Sequence, residues 1–373
     1  MIESLSVENY RCFESLKLTN LKRVNVIVGP NGSGKTALLE AMLLGLRATP
    51  QTVISVINTF RGFTLPGVVA MGGAQIGIQV LTPPVFQSVW DHLFSHQDTK
   101  KTIHISYRDS LKTDYSLKLY YAFDRPVPIP QALPAPFSPN VVPFVFERQK
   151  GKDAPKQTAI SVTAQNQIAN EPVTDNLGPE VLYFPSTSFY ADLDNARWMS
   201  TLALEGQEET INTIVSAHFP QVKHVQVLSP FNIPQVWATL TSDEKRPLSL
   251  VSSGIHKFLS LILASLSSKH GIVIVDELEN GIFYEKYSAL WEVLYQLCEE
   301  SDTQIFVTTH SDEFLKALAP VIGKNDKNFA LLRSEITNGQ CRVVEITGAA
   351  MRDALKRSVE IRGHSLEQPT AKQ

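Results

Sequence analysis

The sequence predicts an α/β fold whose core combines two parts of the chain that are far apart in sequence. Three features predict this fold. A glycine-rich turn near residue 30 stands between an apolar strand and a long apolar helix. After residue 270, one β-branched strand ends in two acidic residues, and the next apolar strand ends in a histidine. Strands that alternate with helices in this way are typical of parallel sheets.

The composition is that of an ordinary globular chain of 373 residues, with 43% hydrophobic and 19% charged residues. A net charge of −3 and a sequence pI near 6.3 argue against a generally basic nucleic-acid coat, although they leave room for a local basic patch. The three cysteines have neither metal-ligand spacing nor the pattern of a disulfide framework. No apolar run reaches membrane-spanning length, and the first residues lack the pattern of a signal peptide. We therefore expect a reduced, cytoplasmic protein that has no membrane partner.

The order of predicted elements divides the chain into three segments. Residues 1–47 form the first half of the core, with strand, turn, strand, glycine loop and helix. Residues 48–246 form a β-rich insert and helical lobe, with strand-like stretches such as "IGIQVL" and "YSLKLYYAF" and one helix over "MSTLALEGQEETINTIVSAHF". Residues 247–373 form the second half of the core, followed by a hairpin at Asn338-Gly339 and a short helix. The sequence shows no internal repeat and no heptad run long enough for a coiled coil.

The stretch "GPNGSGKT" is the strongest chemical signal in the chain. It matches G-x-x-x-x-G-K-[ST] at every position and lies after a strand and before a helix, as a phosphate-binding loop must. Its backbone N–H groups and the helix N-terminus point at the β- and γ-phosphates of a nucleotide. Lys35 places a cation between these phosphates, and Thr36 offers a hydroxyl to Mg²⁺. The predicted nucleotide-binding residues of this loop are Gly29, Pro30, Asn31, Gly32, Ser33, Gly34, Lys35 and Thr36.

The strand "GIVIVDE" predicts a second part of the same site. A buried parallel strand delivers a carboxylate to the carboxyl edge of the sheet, where ligands of open α/β sheets bind. Asp276 is predicted to hold Mg²⁺ through water, and Glu277 to polarise the attacking water as a general base. A strand that ends in Asp-Glu is common by itself, but this one lies downstream of a complete phosphate-binding loop.

The apolar strand "IFVTTH" ends in His310 and follows the Asp276 strand by one helix. A histidine at a strand end is often only structural. If these two strands are parallel neighbours, however, His310 lies beside the γ-phosphate and can sense it. The predicted catalytic residues are therefore Glu277, His310 and Lys35.

The stretch "SLVSSGIHKF" precedes the Asp276 strand by one helix. Ser252 or Ser253 is predicted to cap that helix. A Ser-Ser-Gly turn at a helix N-terminus is also an anion site. A second phosphate site on a chain with one phosphate-binding loop makes sense if it serves the nucleotide of another subunit, so Ser252, Ser253 and Gly254 are predicted to bind nucleotide there.

These motifs, in this order and spacing, resemble the ABC-type ATPase heads of the SMC and RecF group. The opening "LSVENYRCFESLKL" is similar to RecF-like and OLD-like ATPases. The stretches "DELENGIFYE" and "SVEIRG" resemble the compact bacterial branch, the overcoming-lysogenization-defect-like ATPases of the AAA family. The resemblance is specific over about residues 1–47 and 247–315. It implies a P-loop NTPase head with a β-rich N-terminal lobe or insert, which hydrolyses ATP to ADP and phosphate with Mg²⁺.

The resemblance also implies a homodimer in which two heads sandwich two ATP molecules. The Ser-Ser-Gly turn would then contact the γ-phosphate held by the loop of the other subunit. The usual signature "LSGGQ" is here "VSSGI", so Ile255 replaces a glutamine and its contact is missing. Asn280 matches the region that crosses the dimer seam. Arg11 matches an arginine of the RecF-like pattern, with a plain surface arginine as an equal alternative, and the Q-loop glutamine has only two candidates, Gln75 and Gln79.

Two functions of different classes stay open. The stretch after His310 holds no Asp-x-Asp pair, which the Toprim nuclease domain of OLD-type proteins carries, so a nuclease site is not expected. The first function is an ATP-driven dimerising switch, the ATPase and sensor subunit of a bacterial defence or toxin system that controls a separate nuclease or toxin. The second is a RecF-like DNA-binding ATPase in repair or recombination; a transporter ATPase is disfavoured, and an oligomer beyond the dimer is left open. The basic residues for DNA binding are scattered over Lys100, Lys101, Arg148, Lys150, Lys152, Lys245 and Arg246.

Overall fold

The structure is a computed structural model that describes residues 1–56, 90–123, 142–162, 168–170, 177–186, 192–323 and 325–363. The predicted strand "IGIQVL" and the Q-loop candidates Gln75 and Gln79 lie outside the described residues.

Most of the strands lie in the first two thirds of the chain, and the other strands lie between there and the last helix. They are β1 (Ile2–Tyr10), β2 (Phe13–Leu18), β3 (Val24–Val28), β4 (Ile103–Asp109), β5 (Asp114–Tyr121), β6 (Phe144–Lys150), β7 (Lys156–Val162), β8 (Ile168–Asn170), β9 (Val181–Phe184), β10 (Val222–Leu228), β11 (Gln235–Leu240), β12 (Lys245–Pro247), β13 (Ile272–Val275), β14 (Gln304–Thr308), β15 (Phe329–Thr337) and β16 (Gln340–Thr347). The helices are α1 (Lys35–Arg47), α2 (Pro50–Ser55), α3 (Asp192–Leu204), α4 (Glu208–His218), α5 (Leu248–Val251), α6 (Ser253–Ser267), α7 (Tyr287–Glu300), α8 (Asp312–Ile322) and α9 (Gly348–Lys356). Short 3₁₀ turns cover Ser95–Gln97, Pro230–Asn232, Tyr284–Lys286 and Asp326–Asn328.

A six-stranded sheet in the order β16-β15-β3-β14-β13-β9 carries the predicted motifs. All its neighbours are parallel except β15 and β16, which form the hairpin predicted at Asn338-Gly339. Both turn residues have positive φ, 52° and 77°, as a tight two-residue hairpin requires. The strand of the phosphate-binding loop, β3, lies in the middle of the sheet, and β14 separates it from β13. The sheet takes β9 from the segment predicted as an insert, so the insert contributes one strand to the core.

A second, seven-stranded antiparallel sheet has the order β2-β1-β4-β5-β6-β7-β8. It unites the first two strands of the chain with the β-rich insert, as the register of β1 against β4 records. A third sheet of three antiparallel strands, β10-β11-β12, lies beside the helices of the second half. The β-rich lobe that the sequence predicts is therefore built mainly from the second sheet.

Two hydrophobic cores lie on the two faces of the six-stranded sheet. Val24, Val26 and Val28 of β3 face a core that includes α6, whereas Ile27 faces a core that includes α1 and the seven-stranded sheet. Because its residues are buried on both faces, β3 reads as a continuous β-branched run rather than as an alternating one. Helix α1 is packed between the two large sheets and is apolar nearly all round for that reason.

The described fold confirms the predicted class, an α/β P-loop NTPase head with a β-rich lobe. One element differs from prediction, because the single helix expected near residues 199–219 is two helices, α3 and α4. They are separated at Gly206, whose φ of 76° ends α3. The boundaries predicted for the three segments stay a prediction. None of the helices in the described ranges is long and apolar enough to cross a membrane.

Candidate nucleotide-binding and hydrolysis site

The phosphate-binding loop, residues 29–36, joins β3 to α1 at the carboxyl edge of the six-stranded sheet. Gly29, Gly32 and Gly34 have φ angles of 147°, 76° and 98°, which residues with a side chain rarely adopt. A Cβ at Gly29 would overlap the carbonyl oxygen of Ser334, and one at Gly34 would lie 2.7 Å from Sγ of Cys12. The loop can therefore pass between β15 and the turn after β1 only with glycine at these positions.

Lys35 starts α1, and its side chain turns back over the loop. Its Nζ donates to the carbonyl oxygens of Gly29, at 2.8 Å, and Pro30, at 2.9 Å. Burial lowers the pKa of Lys35, while the nearby carboxylates, first Asp276, act to raise it. The ammonium thus stands over the loop, where phosphate binding needs a cation.

Asp276 follows β13 and faces the start of α1. Its carboxylate is 6% exposed and accepts from Thr36 Oγ1 at 3.4 Å and from Thr308 Oγ1 at 2.5 Å. Burial raises the pKa of Asp276, although both hydroxyls act to lower it. The predicted metal ligands, Thr36 and Asp276, therefore stand next to each other at the carboxyl edge of the sheet.

These ligands fit Mg²⁺ rather than a metal held by protein alone. Within the described parts of the chain, no group of three or more histidine, cysteine or acidic side chains could hold a metal ion. A hydroxyl and a carboxylate are hard oxygen donors, and Mg²⁺ at nucleotide sites takes one or two such ligands together with water and phosphate oxygens. The donor pair Thr36 and Asp276 matches that requirement.

Glu277 and His310 lie together beside this pair. His310 Nε2 is 3.7 Å from Glu277 Oε1, and Asn280 Nδ2 donates to Glu277 Oε2 at 2.5 Å. The two side chains are 34% and 36% exposed, so they are accessible from the cavity. The parallel pairing of β13 with β14 brings them together, as the sequence predicted. Glu277 has a left-handed backbone, with φ of 51°, which aims its side chain away from the strand direction.

A cavity of about 400 Å³ opens over these residues. Arg11 reaches its rim and is fixed there by Glu40, whose Oε2 lies 3.1 Å from Arg11 Nε. A larger groove, of about 710 Å³, runs over the open face of the seven-stranded sheet and is lined by none of the predicted site residues. The residues that line the smaller cavity are Arg11, Cys12, Asn31, Gly32, Gly34, Lys35, Thr36, Ala37, Glu277 and His310.

The Ser-Ser-Gly turn lies at the start of α6 and does not line this cavity. Ser252 is the N-cap residue, because its Oγ accepts from the Ile255 amide at 3.4 Å, which confirms one of the two predicted caps. Ser253 is exposed, whereas Ile255 is 2% exposed and packs in the core. Because it is buried, Ile255 offers no polar contact at the surface. In the described structure the turn is therefore a surface feature beside the site of its own chain.

Three residues near the site were not predicted. Lys257 is buried on α6 and donates to two carbonyl oxygens after Asp276, while Glu279 is buried and accepts from the amide of His310. Arg362 donates to the carbonyl oxygen of His310 at 3.0 Å. A lysine inside the apolar run "IHKFLSLILASL" was the one available signal, since a buried cation needs partners. Glu279 and Arg362 lie in the stretches "DELENGIFYE" and "SVEIRG", but the resemblance gave neither residue a role.

Two family profiles match the chain. An AAA ATPase domain family matches residues 1–126, which contain the phosphate-binding loop. An AAA domain family associated with the AbiEii toxin of type IV toxin–antitoxin systems matches residues 164–316, which contain the Ser-Ser-Gly turn, Asp276, Glu277 and His310. Both matches are to AAA-type ATPase domains.

Curated relatives of this chain include an "ATP/GTP phosphatase" of Helicobacter pylori. It is 24% identical over 358 residues, covering 87% of this chain and 90% of that protein. The DNA double-strand break repair Rad50 ATPase of Methanopyrus kandleri is 48% identical over 46 residues, 12% of this chain and 5% of that one. The DNA replication and repair protein RecF of Idiomarina loihiensis is 46% identical over 43 residues, 12% of either chain.

Solved structures similar to this chain include SMC head domains. An SMC head bound to the C-terminal winged-helix domain of ScpA is 12% identical, with a TM-score of 0.48, and covers 93% of this chain and 98% of its own. An Smc head domain with an extended coiled coil, from a complex with the C-terminal domain of ScpA derived from Pyrococcus furiosus, is 10% identical. Its TM-score is 0.49, and it covers 96% of this chain and 99% of its own.

Proposed function

We propose that this chain is an ATP-driven dimerising switch. In this proposal it is the ATPase and sensor subunit of a bacterial defence or toxin system, and it controls a separate nuclease or toxin effector. One observation carries the dimerising part. The hydrolysis residues of the chain gather at one cavity, while its Ser-Ser-Gly turn lies outside that cavity. A phosphate-binding turn that cannot reach the nucleotide of its own chain is free to serve that of a second copy.

The effector part of the proposal has support from the family descriptions. The family that matches residues 164–316 is associated with the AbiEii toxin of type IV toxin–antitoxin systems. We also propose that the chain belongs to the compact OLD-like branch, which its sequence resembles.

Hydrolysis follows from the positions of the side chains. Lys35 leaves the carbonyl oxygens of Gly29 and Pro30 for the phosphates of ATP and balances their charge. Thr36, through its hydroxyl, and Asp276, through water, would hold Mg²⁺, which would add positive charge at the phosphate oxygens. Glu277 orients water and accepts its proton at Oε1, since Asn280 holds Oε2. His310 Nε2 lies next to Oε1 and is able to donate to the γ-phosphate.

The change Glu277→Gln tests the role of the general base. We expect it to slow phosphate release by about 10²- to 10⁴-fold, because general-base catalysis contributes that much. ATP binding should persist, so the variant should accumulate as an ATP-bound dimer in analytical ultracentrifugation. Glu209→Gln, at an exposed glutamate of α4, is the matched control for Glu277→Gln. Lys35→Ala should abolish nucleotide binding. Hydrolysis by Glu277→Gln at the wild-type rate would show that the base is another residue.

The effector is tested by capture from the native host. Glu277→Gln protein, trapped with ATP, should co-purify with a nuclease or toxin encoded beside its own gene, and the Lys35→Ala variant should capture less of it. Capture of no such protein by either variant would contradict the role in defence, while leaving the ATPase activity untouched.

The alternative is a RecF-like DNA-binding ATPase, which the short matches to RecF and Rad50 support. The structure corrects one of its candidate residues, because Arg148 is 4% exposed and cannot contact DNA. An ATP-dependent shift of duplex DNA whose affinity falls steeply with salt would favour this alternative, since phosphate contacts release counterions. No binding at low salt would exclude it. The remaining candidates lie on three separate surface elements, at Lys100 and Lys101, at Lys150 and Lys152, and at Lys245 and Arg246.

A further inference from the structure

The turn after β13, residues 277–281, is held from two directions, and we call it the catalytic turn. It begins with Glu277, contains Asn280 and ends at Gly281. Its position connects the general base to the start of α6, because both are in contact with it. The contacts of this turn are the basis of the inference.

The first contact comes from Lys257, which lies three residues after Gly254 on α6. Its side chain is buried, with 5% exposed, and Nζ donates to the carbonyl oxygens of Glu277 at 3.0 Å and Asn280 at 2.9 Å. These two oxygens belong to the beginning and the end of the catalytic turn. One ammonium group therefore closes the turn and ties it to the helix that carries the Ser-Ser-Gly sequence.

Burial lowers the pKa of Lys257, the carboxylates of Glu279, Glu277 and Asp276 act to raise it, and together these effects lower the pKa to about 8. A buried ammonium without partners is unfavourable. The two hydrogen bonds to carbonyl oxygens and the acidic neighbours stabilise the ammonium of Lys257 in this position.

The second contact is between backbones. A Cβ at Gly254 would lie 2.6 Å from the carbonyl oxygen of Gly281, so the start of α6 and the end of the catalytic turn are in direct contact. Helix α6 is buried along most of its 15 residues, and a closely packed interior transmits strain between neighbouring elements. A displacement of its first turn must therefore displace the catalytic turn.

The third contact leads from the catalytic turn to His310. Glu279 is 9% exposed, and its Oε1 accepts from the amides of His310 at 2.8 Å and Ser311 at 3.2 Å. Ser311 in turn caps α8, because its Oγ accepts from the Phe314 amide at 3.1 Å. Oε2 of Glu279 has no hydrogen-bond partner within the described ranges. The carboxylate is therefore fixed through one oxygen, and it holds the backbone of the γ-phosphate sensor.

We propose that Lys257 and Glu279 are positioning residues that couple the Ser-Ser-Gly turn to Glu277 and His310, so that binding of the partner's nucleotide at this turn sets the catalytic residues of the same chain. The inference rests on the proposed dimer. Within one subunit, the turn contacts the nucleotide of the other subunit, and Glu277 acts on its own nucleotide. Lys257 then links the two ATP sites, and their hydrolysis is cooperative.

The test compares Lys257→Met with Lys257→Arg, Glu279→Ala and Glu279→Gln. We expect the wild type to show a Hill coefficient clearly above 1 in ATP, with an upper limit of 2 for two sites. Lys257→Met should bind ATP with an affinity within about threefold of wild type, but its kcat should fall at least tenfold and its Hill coefficient should approach 1. Glu279→Ala should do the same, and Glu279→Gln, which keeps an acceptor oxygen for the His310 amide, should restore much of the cooperativity. Lys257→Arg should restore part of it, because it keeps a buried cation.

Lys269→Met is the matched control, since Lys269 is exposed just after α6 and pairs with Glu205. Each variant is also measured in the Glu277→Gln background for ATP-driven dimerisation, which should be retained. If Lys257→Met keeps both the kcat and the Hill coefficient of wild type, the inference is wrong even though the dimer exists. If the wild type neither dimerises with ATP nor hydrolyses it, the proposed function itself fails. Should Lys257→Met not fold, the Glu279 pair decides in the same way.

Discussion

The three glycines of the phosphate-binding loop have different tasks. Gly29 has both an unusual φ and no room for a side chain against Ser334, whereas a Cβ at Gly32 would meet nothing within 4 Å. Gly32 is therefore required only for its backbone conformation. Glycine thus meets a packing constraint at position 29, a fixed position of the motif, and a conformational one at position 32, which the motif leaves open.

Gly29→Ala and Gly32→Ala separate these two tasks. We expect Gly32→Ala to cost about 1–2 kcal/mol, the price of a left-handed backbone for a residue with a side chain. Gly29→Ala should cost more, because β15 must also move, and it should weaken ATP binding more strongly. Urea unfolding and titration with a fluorescent ATP analogue measure both effects. Equal losses at the two positions would mean that Ser334 yields without cost.

At the same scale, the sequence predicts the residues that belong to a spaced motif. The loop, Asp276, Glu277 and His310 lie together as expected, because strand ends on one sheet edge must converge. The partners of Lys257 and Glu279 could not be predicted, since they are backbone atoms of other segments; the sequence offered only the lysine inside an apolar run as a signal. Their roles become visible only when α6 and the catalytic turn are seen in contact.

At the scale of elements, α6 combines a structural cap at Ser252 with the exposed Ser253, which we propose contacts the nucleotide of a second subunit. Ser252 uses its hydroxyl as the cap, while Ser253 points to solvent. Gly254 is a poor position for testing the turn, because any side chain there strikes the catalytic turn of its own chain. Ser253 is exposed, so a change there alters the surface that we propose meets a second subunit.

Ser253→Arg should therefore leave the monomer and its ATP binding intact and block the dimer. In the Glu277→Gln background, we expect the ATP-bound dimer to be lost in analytical ultracentrifugation. In the wild-type background, hydrolysis should fall to the level of an isolated subunit. Ser110→Arg, at an exposed turn of the seven-stranded sheet, is the control. A Ser253→Arg protein that still dimerises with ATP would place the subunit contact elsewhere.

At the scale of the whole molecule, Gln304 fastens the two large sheets to each other. It is fully buried at the start of β14, where Oε1 accepts from the Ile2 amide at 2.7 Å. Its Nε2 donates to the carbonyl oxygens of Ile2, at 2.9 Å, and Lys22, at 2.7 Å. No local pattern predicts this side chain, nor that β9 joins the core sheet, because strand partners are chosen by the tertiary fold and not by neighbouring residues.

Gln304→Leu should destabilise the protein by about 2 kcal/mol or more, since it removes the side-chain partner of the Ile2 amide and of the Ile2 carbonyl oxygen, at roughly 1–3 kcal/mol each. The Lys22 carbonyl oxygen keeps its hydrogen bond from Asn25 Nδ2. The side chains have similar volumes, so packing changes little. Gln296→Leu, at an exposed position of α7, is the control and should cost little. Thermal and urea unfolding compare the two variants. A Gln304→Leu protein as stable as the control would mean that water replaces the lost bonds.

The central place of β3 has a consequence for synthesis of the chain. Val24 pairs with Ile305 on one side and with Phe329 on the other, so most of the chain must be made before β3 has a neighbour. Contacts between such distant segments form slowly, because a long loop must close first. During translation, the loop "GPNGSGKT" leaves the ribosome early but has no sheet to hold it. We therefore expect nucleotide to bind only near the end of synthesis. ATP would then bind finished chains and not growing ones.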